Sequence, residues 1–271
     1  MEPRTYLFVP GNRPERFAKA LASDADAIVI DLEDAVAAEA KGEARDAIAN
    51  WFGQAAAAER TRFVVRINDA ASSWFEDDLR LMRQTGQTSV MLPKTESAQQ
   101  LDAVRSALPL ARMLALIESA RGVANVEAVA TEPGVSRLVF GTLDYALDLD
   151  LDIGEYSDGL AFAASRVAVA SRIAGLASPV AGVTPQIDDE ARLLVDLAWA
   201  CRHGLHAKLC IHPKQVAPIH AALTPSPQTL DWARRVLAAE AASPGAAKLD
   251  GRIIDRPVVL QAQRTLQRSA G

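Results

Sequence analysis

Ala27–Val36 reads AIVIDLEDAV. Its first four residues are apolar, the composition of a strand buried on both faces. Asp31, Glu33 and Asp34 then arrive within four positions. A turn needs one Asp or Asn, so three carboxylates at the end of a buried strand either cap a helix or serve something cationic. Asp31 and Glu33 are two residues apart and share a face for as long as strand geometry persists. Asp34 points elsewhere and reads as the helix cap.

Seven more runs of the same kind lie around this one: YLFV (Tyr6–Val9), FVVRI (Phe63–Ile67), SVML (Ser89–Leu92), MLALI (Met113–Ile117), RLVF (Arg137–Phe140), PVAGV (Pro179–Val183) and AKLCI (Ala207–Ile211). The segments between them are Ala-rich and amphipathic, among them EARDAIANWF, WFEDDLRLMRQ, RGVANVEAVAT and DDEARLLVDLAWACRHG. Alternating strand and helix means βαβ units and a parallel sheet. Eight such units predict an α/β fold, a (β/α)8 TIM barrel, over residues 1–223. The open doubly wound sheet is the alternative, but the first strand runs into PGNRP rather than a GxGxxG turn. Residues 224–271 predict a short C-terminal helical extension: a helix over Ser226–Ser243, a Gly-containing loop PGAAKLDGRIID, and a last helix RPVVLQAQRTLQRS. No second core is read there, and the extension is expected to pack on the barrel or to reach a neighbouring subunit.

Composition narrows the function. The 271 residues are 49% hydrophobic and 23% charged, enough for a large core and too apolar for disorder. A formal net charge of −5 argues against a nucleic-acid partner. No run of about 18 apolar residues predicts a membrane span, and the N-terminal MEPRTYLFVPGNRPE lacks a signal-peptide core. Cys201 and Cys210 make no disulfide framework and read as buried thiols, which fits a cytoplasmic protein.

In a barrel, functional groups sit where strands end and βα loops begin. Just past each apolar run come Pro10, Gly11, Asn12 and Arg13; Asp31, Glu33 and Asp34; Arg66 and Asn68; Pro93 and Lys94; Glu118; Gly141 and Asp144; Gly182 and Thr184; and His212. Several carboxylates around one cavity repel each other unless a cation sits among them. Oxygen donors without a His cluster suit Mg²⁺, held by two carboxylates with water and substrate completing the shell. Arg66 could then grip a substrate carboxylate bidentately. Plainer roles stay open: Glu118 could favour the dipole of a helix capped by Ser119, Asp144 could belong to a solvated acidic set with Asp148, Asp150 and Asp152, Arg66 could form a rim ion pair, and Lys94 could be a surface lysine. His212, before Pro213, reads as structural.

LFVPGNRPERFAKAL, DADAIVIDLEDAV with Lys41 and Arg45 beyond it, VVRIN, MLPK, ALIESARG, FGTLDYALDL, KLCIHPKQ and LDGRIID occur in that order. The series, over essentially the whole chain, resembles the citrate lyase β-subunit-like family. The resemblance implies a Mg²⁺-dependent acyl-CoA lyase that assembles as a homotrimer or a dimer of trimers. It implies Glu118 and Asp144 as metal ligands, and Arg66 as the residue that holds the substrate carboxylate. Asp31 and Glu33 become catalytic-site acids that order metal waters and Arg66. Pro10, Gly11, Asn12, Arg13 and Arg16, with Lys94, fall on the acyl-CoA side, and Asp255 becomes an acid delivered into a neighbouring subunit's site. By itself Asp255 also reads as a helix N-cap before Pro257.

The reaction so implied is reversible carbon–carbon cleavage of a 3-hydroxyacyl-CoA carboxylate, such as citryl-CoA or malyl-CoA, to acetyl-CoA and a 2-oxo acid such as oxaloacetate. Two other readings keep the same residues: a pyruvate-type aldolase acting on free hydroxy-keto acids without CoA, and a non-catalytic barrel that binds CoA or an organic acid. Pocket volume chooses among citryl, malyl, methylmalyl and citramalyl esters, which differ by small groups around one core.

Overall fold

The computed structural model describes residues 2–154, 158–243, 245 and 247–269. Each of the eight apolar runs overlaps a strand: β1 (Thr5–Pro10), β2 (Ala27–Asp31), β3 (Phe63–Arg66), β4 (Ser89–Leu92), β5 (Arg112–Ile117), β6 (Val135–Phe140), β7 (Val180–Ala181) and β8 (Ala207–Cys210). They pair in parallel in sequence order, and β1 pairs β8 to close the barrel. The expected (β/α)8 barrel is the fold.

Side-chain alternation then assigns every strand residue to the lumen or to the helix layer. Tyr6, Ala27, Val29, Val64, Met91, Leu114, Leu116, Val139, Val180, Ala207 and Leu209 form one buried cluster. Counting two residues onward from Val29, Val64, Leu116 and Val139 reaches Asp31, Arg66, Glu118 and Gly141. Period two therefore stacks the polar residues above an apolar lumen, at the carboxyl ends of the strands. β7 is shorter than its apolar run because side chains take the next carbonyls: Lys208 Nζ donates to Gly182 O (2.6 Å) and Gln215 Nε2 to Thr184 O (2.9 Å).

Helices follow the strands as the amphipathic segments require. Lys41–Gln54 and Phe75–Thr85 face β2 and β3 with Ile48, Phe52, Leu79 and Met82. Phe52 and Trp51 meet Phe63 edge to face, at 5.8 and 6.2 Å between centroids. RGVANVEAVAT, expected as one helix, is two, Ala120–Ala124 and Val126–Ala130, broken at Asn125. The Asn125 amide donates to Glu96 O at 2.8 Å, which ties the junction of the two helices to the loop after β4.

The chain divides into two compact units, Glu2–Ile219 and His220–Gly271. The second has a small core of its own, which corrects the expectation of none: Ala233, Val236, Ala247, Ile254 and Ala262 are buried together, with Trp232, Leu249, Val258 and Leu266 packed on them. The sequence hides this core because three of its five members are alanines. Ser226 caps the helix Pro227–Ala242 by accepting from Thr229 N (3.1 Å). PGAAKLDGRIID, expected as loop, contains an antiparallel hairpin of β9 (Lys248–Leu249) and β10 (Arg252–Ile253). Asp250 and Gly251 turn it at φ 48° and 77°, the paired left-handed conformation that Asp-Gly favours.

Candidate active site

The β2–β3 register places Asp31 beside Arg66. Both are buried, and Arg66 closes a two-point ion pair, Nε on Asp31 Oδ1 (2.7 Å) and Nη2 on Asp31 Oδ2 (2.6 Å). The bidentate grip foreseen for a substrate is thus made on Asp31. The remaining nitrogen, Nη1, lies 2.8 Å from Glu33 Oε2 and 3.6 Å from Asp34 Oδ2. The contact with Glu33 is a charge contact off the N–H line, since Oε2 makes no aligned hydrogen bond. The Phe8 ring lies 4.9 Å from the guanidinium. Burial disfavours the Arg66 charge, but Asp31 and Glu33 outweigh it and hold the guanidinium protonated.

Asp31 also receives the backbone N–H groups of Glu33 (2.9 Å) and Ala35 (3.0 Å). The capping expected of Asp34 is therefore carried by Asp31, at a turn and not at a helix start. Asp34 stays exposed beside Arg66. Glu33 is buried, and Lys94 Nζ donates to its Oε1 at 2.7 Å. Burial raises the Glu33 carboxyl above its ordinary value against the pull of Arg66 and Lys94.

Glu118 follows β5 and is 4% exposed. Its Oε1 accepts from Lys94 N at 2.7 Å. Burial is the main cause that pushes its carboxyl up to about 8, and the negative charges of Asp144 and Glu33 add to it. Lys94 has φ 47°, a left-handed conformation uncommon outside glycine. That backbone turns the N–H towards Glu118 while the side chain reaches Glu33, so one residue joins both acids. Gly141 is dictated by the same crowding, because a Cβ there would lie 2.6 Å from Glu118 Cβ and Oε2. Asp144 stands in the first turn of the helix Thr142–Asp148, partly buried. Among the described residues no three His, Cys, Asp or Glu side chains form a metal cluster, so a cation here would have two carboxylates and otherwise water or substrate oxygen.

The residues after β1 are placed differently. Gly11 is buried and its N–H donates to Asp31 O at 2.8 Å, where a Cβ would collide. Pro10 ends β1, while Asn12, Arg13 and Arg16 are exposed, with Arg13 paired to Glu15. Asp255 belongs to the C-terminal unit. It is exposed, and its Oδ1 accepts from Val258 N (3.2 Å) at the start of the helix Arg256–Ser269. His212 Nδ1 caps a short turn by accepting from Lys214 N (3.2 Å), a structural use. Cys210 is buried, with its thiol pushed up to about 12 by burial. Cys201 is only partly buried, short of the expectation.

Sequence reading passed over one part of the site. Asn68, named as a strand end, and Asp78, not named at all, are buried beside it and hydrogen-bonded to each other. The available signal was the pair Lys41 and Arg45, four residues apart, whose partners these are.

Residues 4–213 match the family model of the HpcH/HpaI aldolase/citrate lyases. The citrate lyase subunit beta-like protein of Mycobacterium tuberculosis is 36% identical over 270 residues, covering 97% of this chain and 94% of the relative. A (3S)-malyl-CoA thioesterase of Cereibacter sphaeroides is 32% identical over 273 residues, covering 98% and 94%. Among solved structures, the CitE protein of Mycobacterium tuberculosis in complex with magnesium, acetoacetate and coenzyme A superposes with a TM-score of 0.89 at 33% identity, over 99% of this chain and 98% of that one. Among the described residues no helix is long and apolar enough to cross a membrane.

Proposed function

The chain belongs to the HpcH/HpaI aldolase/citrate lyase family and is a carbon–carbon lyase, and from that premise we propose that it cleaves a 3-hydroxyacyl-CoA carboxylate, such as citryl-CoA or malyl-CoA, to acetyl-CoA and a 2-oxo acid, with Mg²⁺ as cofactor. The observation that carries this reading is Glu118: a buried carboxylate, next to a second one, with its proton held up to about 8. Such a pair needs a cation to be ionised at neutral pH, and hard oxygen donors two at a time are what Mg²⁺ takes from proteins. Glu118 and Asp144 would hold it. Bound there, it would supply Lewis-acid polarisation of the substrate oxygens and a template for them. The crystallised complex of the relative with magnesium, acetoacetate and coenzyme A supports the same reading.

The protein's own residues do the rest. Arg66, locked in place by Asp31, presents its Nη1 edge to the substrate and stabilises charge on the oxygen that becomes the ketone. Glu33 and Lys94 keep that edge in register. The exposed Arg13 and Arg16 beside β1 are cations suited to the phosphates of CoA, and Gly11 lets this loop approach the β2 exit. The substrate hydroxyl gives up its proton to solvent and its oxygen becomes the ketone as the carbon–carbon bond breaks, and the electron pair of that bond leaves on the acetyl-CoA enolate. Asp255, contributed by the C-terminal unit of a second copy in a trimer, protonates the enolate carbon and in condensation removes that proton.

Citryl-CoA, malyl-CoA, methylmalyl-CoA and citramalyl-CoA, assayed with Mg²⁺ and then with EDTA, test the proposal. Release of acetyl-CoA or propionyl-CoA with a 2-oxo acid, lost in EDTA, is the expected result. Turnover unchanged by EDTA rejects the metal role, and cleavage of free hydroxy-keto acids alone rejects the CoA ester. Release of free CoA with an intact hydroxy acid would mean hydrolysis, the activity in the name of the Cereibacter sphaeroides relative. Asp255→Asn is expected to lower kcat by about 10²–10⁴-fold, the usual contribution of a general acid, with KM for the ester nearly unchanged. The isostere can still accept from Val258 N, so a loss of ester binding would show that Asp255 is structural.

A further inference from the structure

Lys41 breaks a local rule. It is the first residue of the helix Lys41–Gln54, where the helix dipole disfavours a cation, and it is 4% exposed. Three oxygens account for it: Nζ donates to Leu32 O (2.7 Å), Glu33 O (2.9 Å) and Asn68 Oδ1 (2.7 Å), with the Trp74 ring 4.8 Å away. Two of these are main-chain carbonyls of the segment that leaves β2 between Asp31 and Asp34. The third leads onward. Asn68 N and Nδ2 donate to Asp78 Oδ2 (2.8 and 2.6 Å), and Arg45 Nη1 donates to Asp78 Oδ1 (3.0 Å). Lys41 and Arg45, on one face of the helix by their spacing, thus close a ring through the β3 exit and the helix Phe75–Thr85.

Stability does not explain this ring. Burial is the largest influence on both its ends, pulling the Lys41 ammonium down and pushing the Asp78 carboxyl up. Buried ion networks cost about as much in desolvation as they return, and well-packed apolar replacements are often neutral or better. What the ring fixes is geometry. Glu33 and Ala35 donate their N–H groups to the carboxylate of Asp31, so the path of the chain at Leu32 and Glu33 decides where both acids point.

We propose that Lys41 is a positioning residue of the active site: by binding Leu32 O, Glu33 O and Asn68 Oδ1 together, it holds the β2 exit so that Asp31 and Glu33 stay aimed at Arg66. The geometry stands by itself, and its consequence for turnover rests on the lyase reading.

Backbone amide exchange in Lys41→Met and Lys41→Arg tests the holding role without any substrate. Exchange at Glu33 and Ala35 is expected to be about tenfold faster in Lys41→Met, with β5–β8 unchanged. Lys41→Arg keeps the charge but cannot set one nitrogen against three oxygens; it is expected to fold and to show the same local loosening, and it carries the test should the Met variant fail to fold. Protection retained at Glu33 and Ala35 in the variant that folds, or lost equally through all eight strands, overturns the proposal. With an active ester in hand, kcat is expected to fall about 10–100-fold in Lys41→Met with KM little changed. Lys41→Met combined with Glu33→Gln should then be no worse than about threefold below the weaker single variant, because both act through one element. Losses that multiply in the double variant would show that Lys41 acts elsewhere.

Discussion

Glu118→Gln is expected to lose more than about 10³-fold in kcat/KM, the several kcal/mol that a metal-site carboxylate supports, and to lose stabilisation by Mg²⁺, while the barrel stays folded. The replacement is isosteric, and its amide oxygen can still accept from Lys94 N, which the native carboxylate meets at 2.7 Å. Only the charge is removed. The same variant has a pH signature. In the metal-free parent the Glu118 carboxyl titrates near 8 when folded and at its ordinary 4.5 when unfolded. Between those values the folded chain keeps a proton that the unfolded chain has released. Stability therefore falls as pH rises from about 4.5 to 8, and the loss is complete above 8. Glu118→Gln should lack that slope and be more stable than the metal-free parent at pH 9. Mg²⁺ binding by the parent should release a proton below pH 8, so its apparent affinity should climb with pH and level off there. Thermal melts across pH with Mg²⁺ or EDTA, and calorimetry in two buffers, measure all of this. A parent and a variant with the same pH slope and the same response to Mg²⁺ would remove Glu118 from the metal site.

The barrel was legible because one physical cause wrote it into the sequence many times. Strands buried on both faces must be apolar runs, helices that cover them must be amphipathic, and eight repetitions leave little else. Asp31, Glu33, Arg66 and Glu118 were legible for a related reason: a charge at the end of an apolar run is too costly to bury without a partner. Their pairing was not. The sequence offers Arg66 to a substrate, and only the β2–β3 register reveals Asp31 alongside to take its fork first. Lys94 shows the same limit, since nothing local announces that its backbone will be left-handed and its N–H turned to Glu118. The Asn68–Asp78 contact joins a strand end to the first turn of a helix and has no period to betray it. Asp34 illustrates the opposite error, where a sound local rule for helix caps gave way because the chain turns before any helix begins. The hairpin at Asp250–Gly251 was within reach of turn chemistry, whereas the small C-terminal core was not, since alanines mark a core only once packing is known.

Arg66→Met is expected to damage both stability and activity, and the comparison with Arg66→Lys separates the two roles. Removing the guanidinium leaves Asp31, 1% exposed, and Glu33, 6% exposed, as buried carboxylates without their cation. Asp31 keeps two backbone donors and Glu33 keeps Lys94, so the cost should fall near the usual ~3–5 kcal/mol for breaking a buried pair. In a chain of this size that is a fall in Tm of about 10 °C. The deficit should shrink as pH drops, because protonation of Glu33, whose carboxyl burial already raises, relieves the stranded charge. Asp31→Asn in the Arg66→Met background should restore part of the Tm for the same reason, and absence of any restoration would mean that the ion pair is not what Arg66 contributes. Arg66→Lys restores a positive charge but not a planar fork. It should recover much of the lost Tm while kcat/KM stays about 10²-fold or more below the parent, since the edge presented to the substrate and the two-point lock on Asp31 are both gone. If lysine recovers activity as fully as stability, Arg66 serves only to neutralise Asp31 and Glu33, and the substrate carboxylate must be held by another cation, of which Lys94 is the nearest candidate through its contact with Glu33.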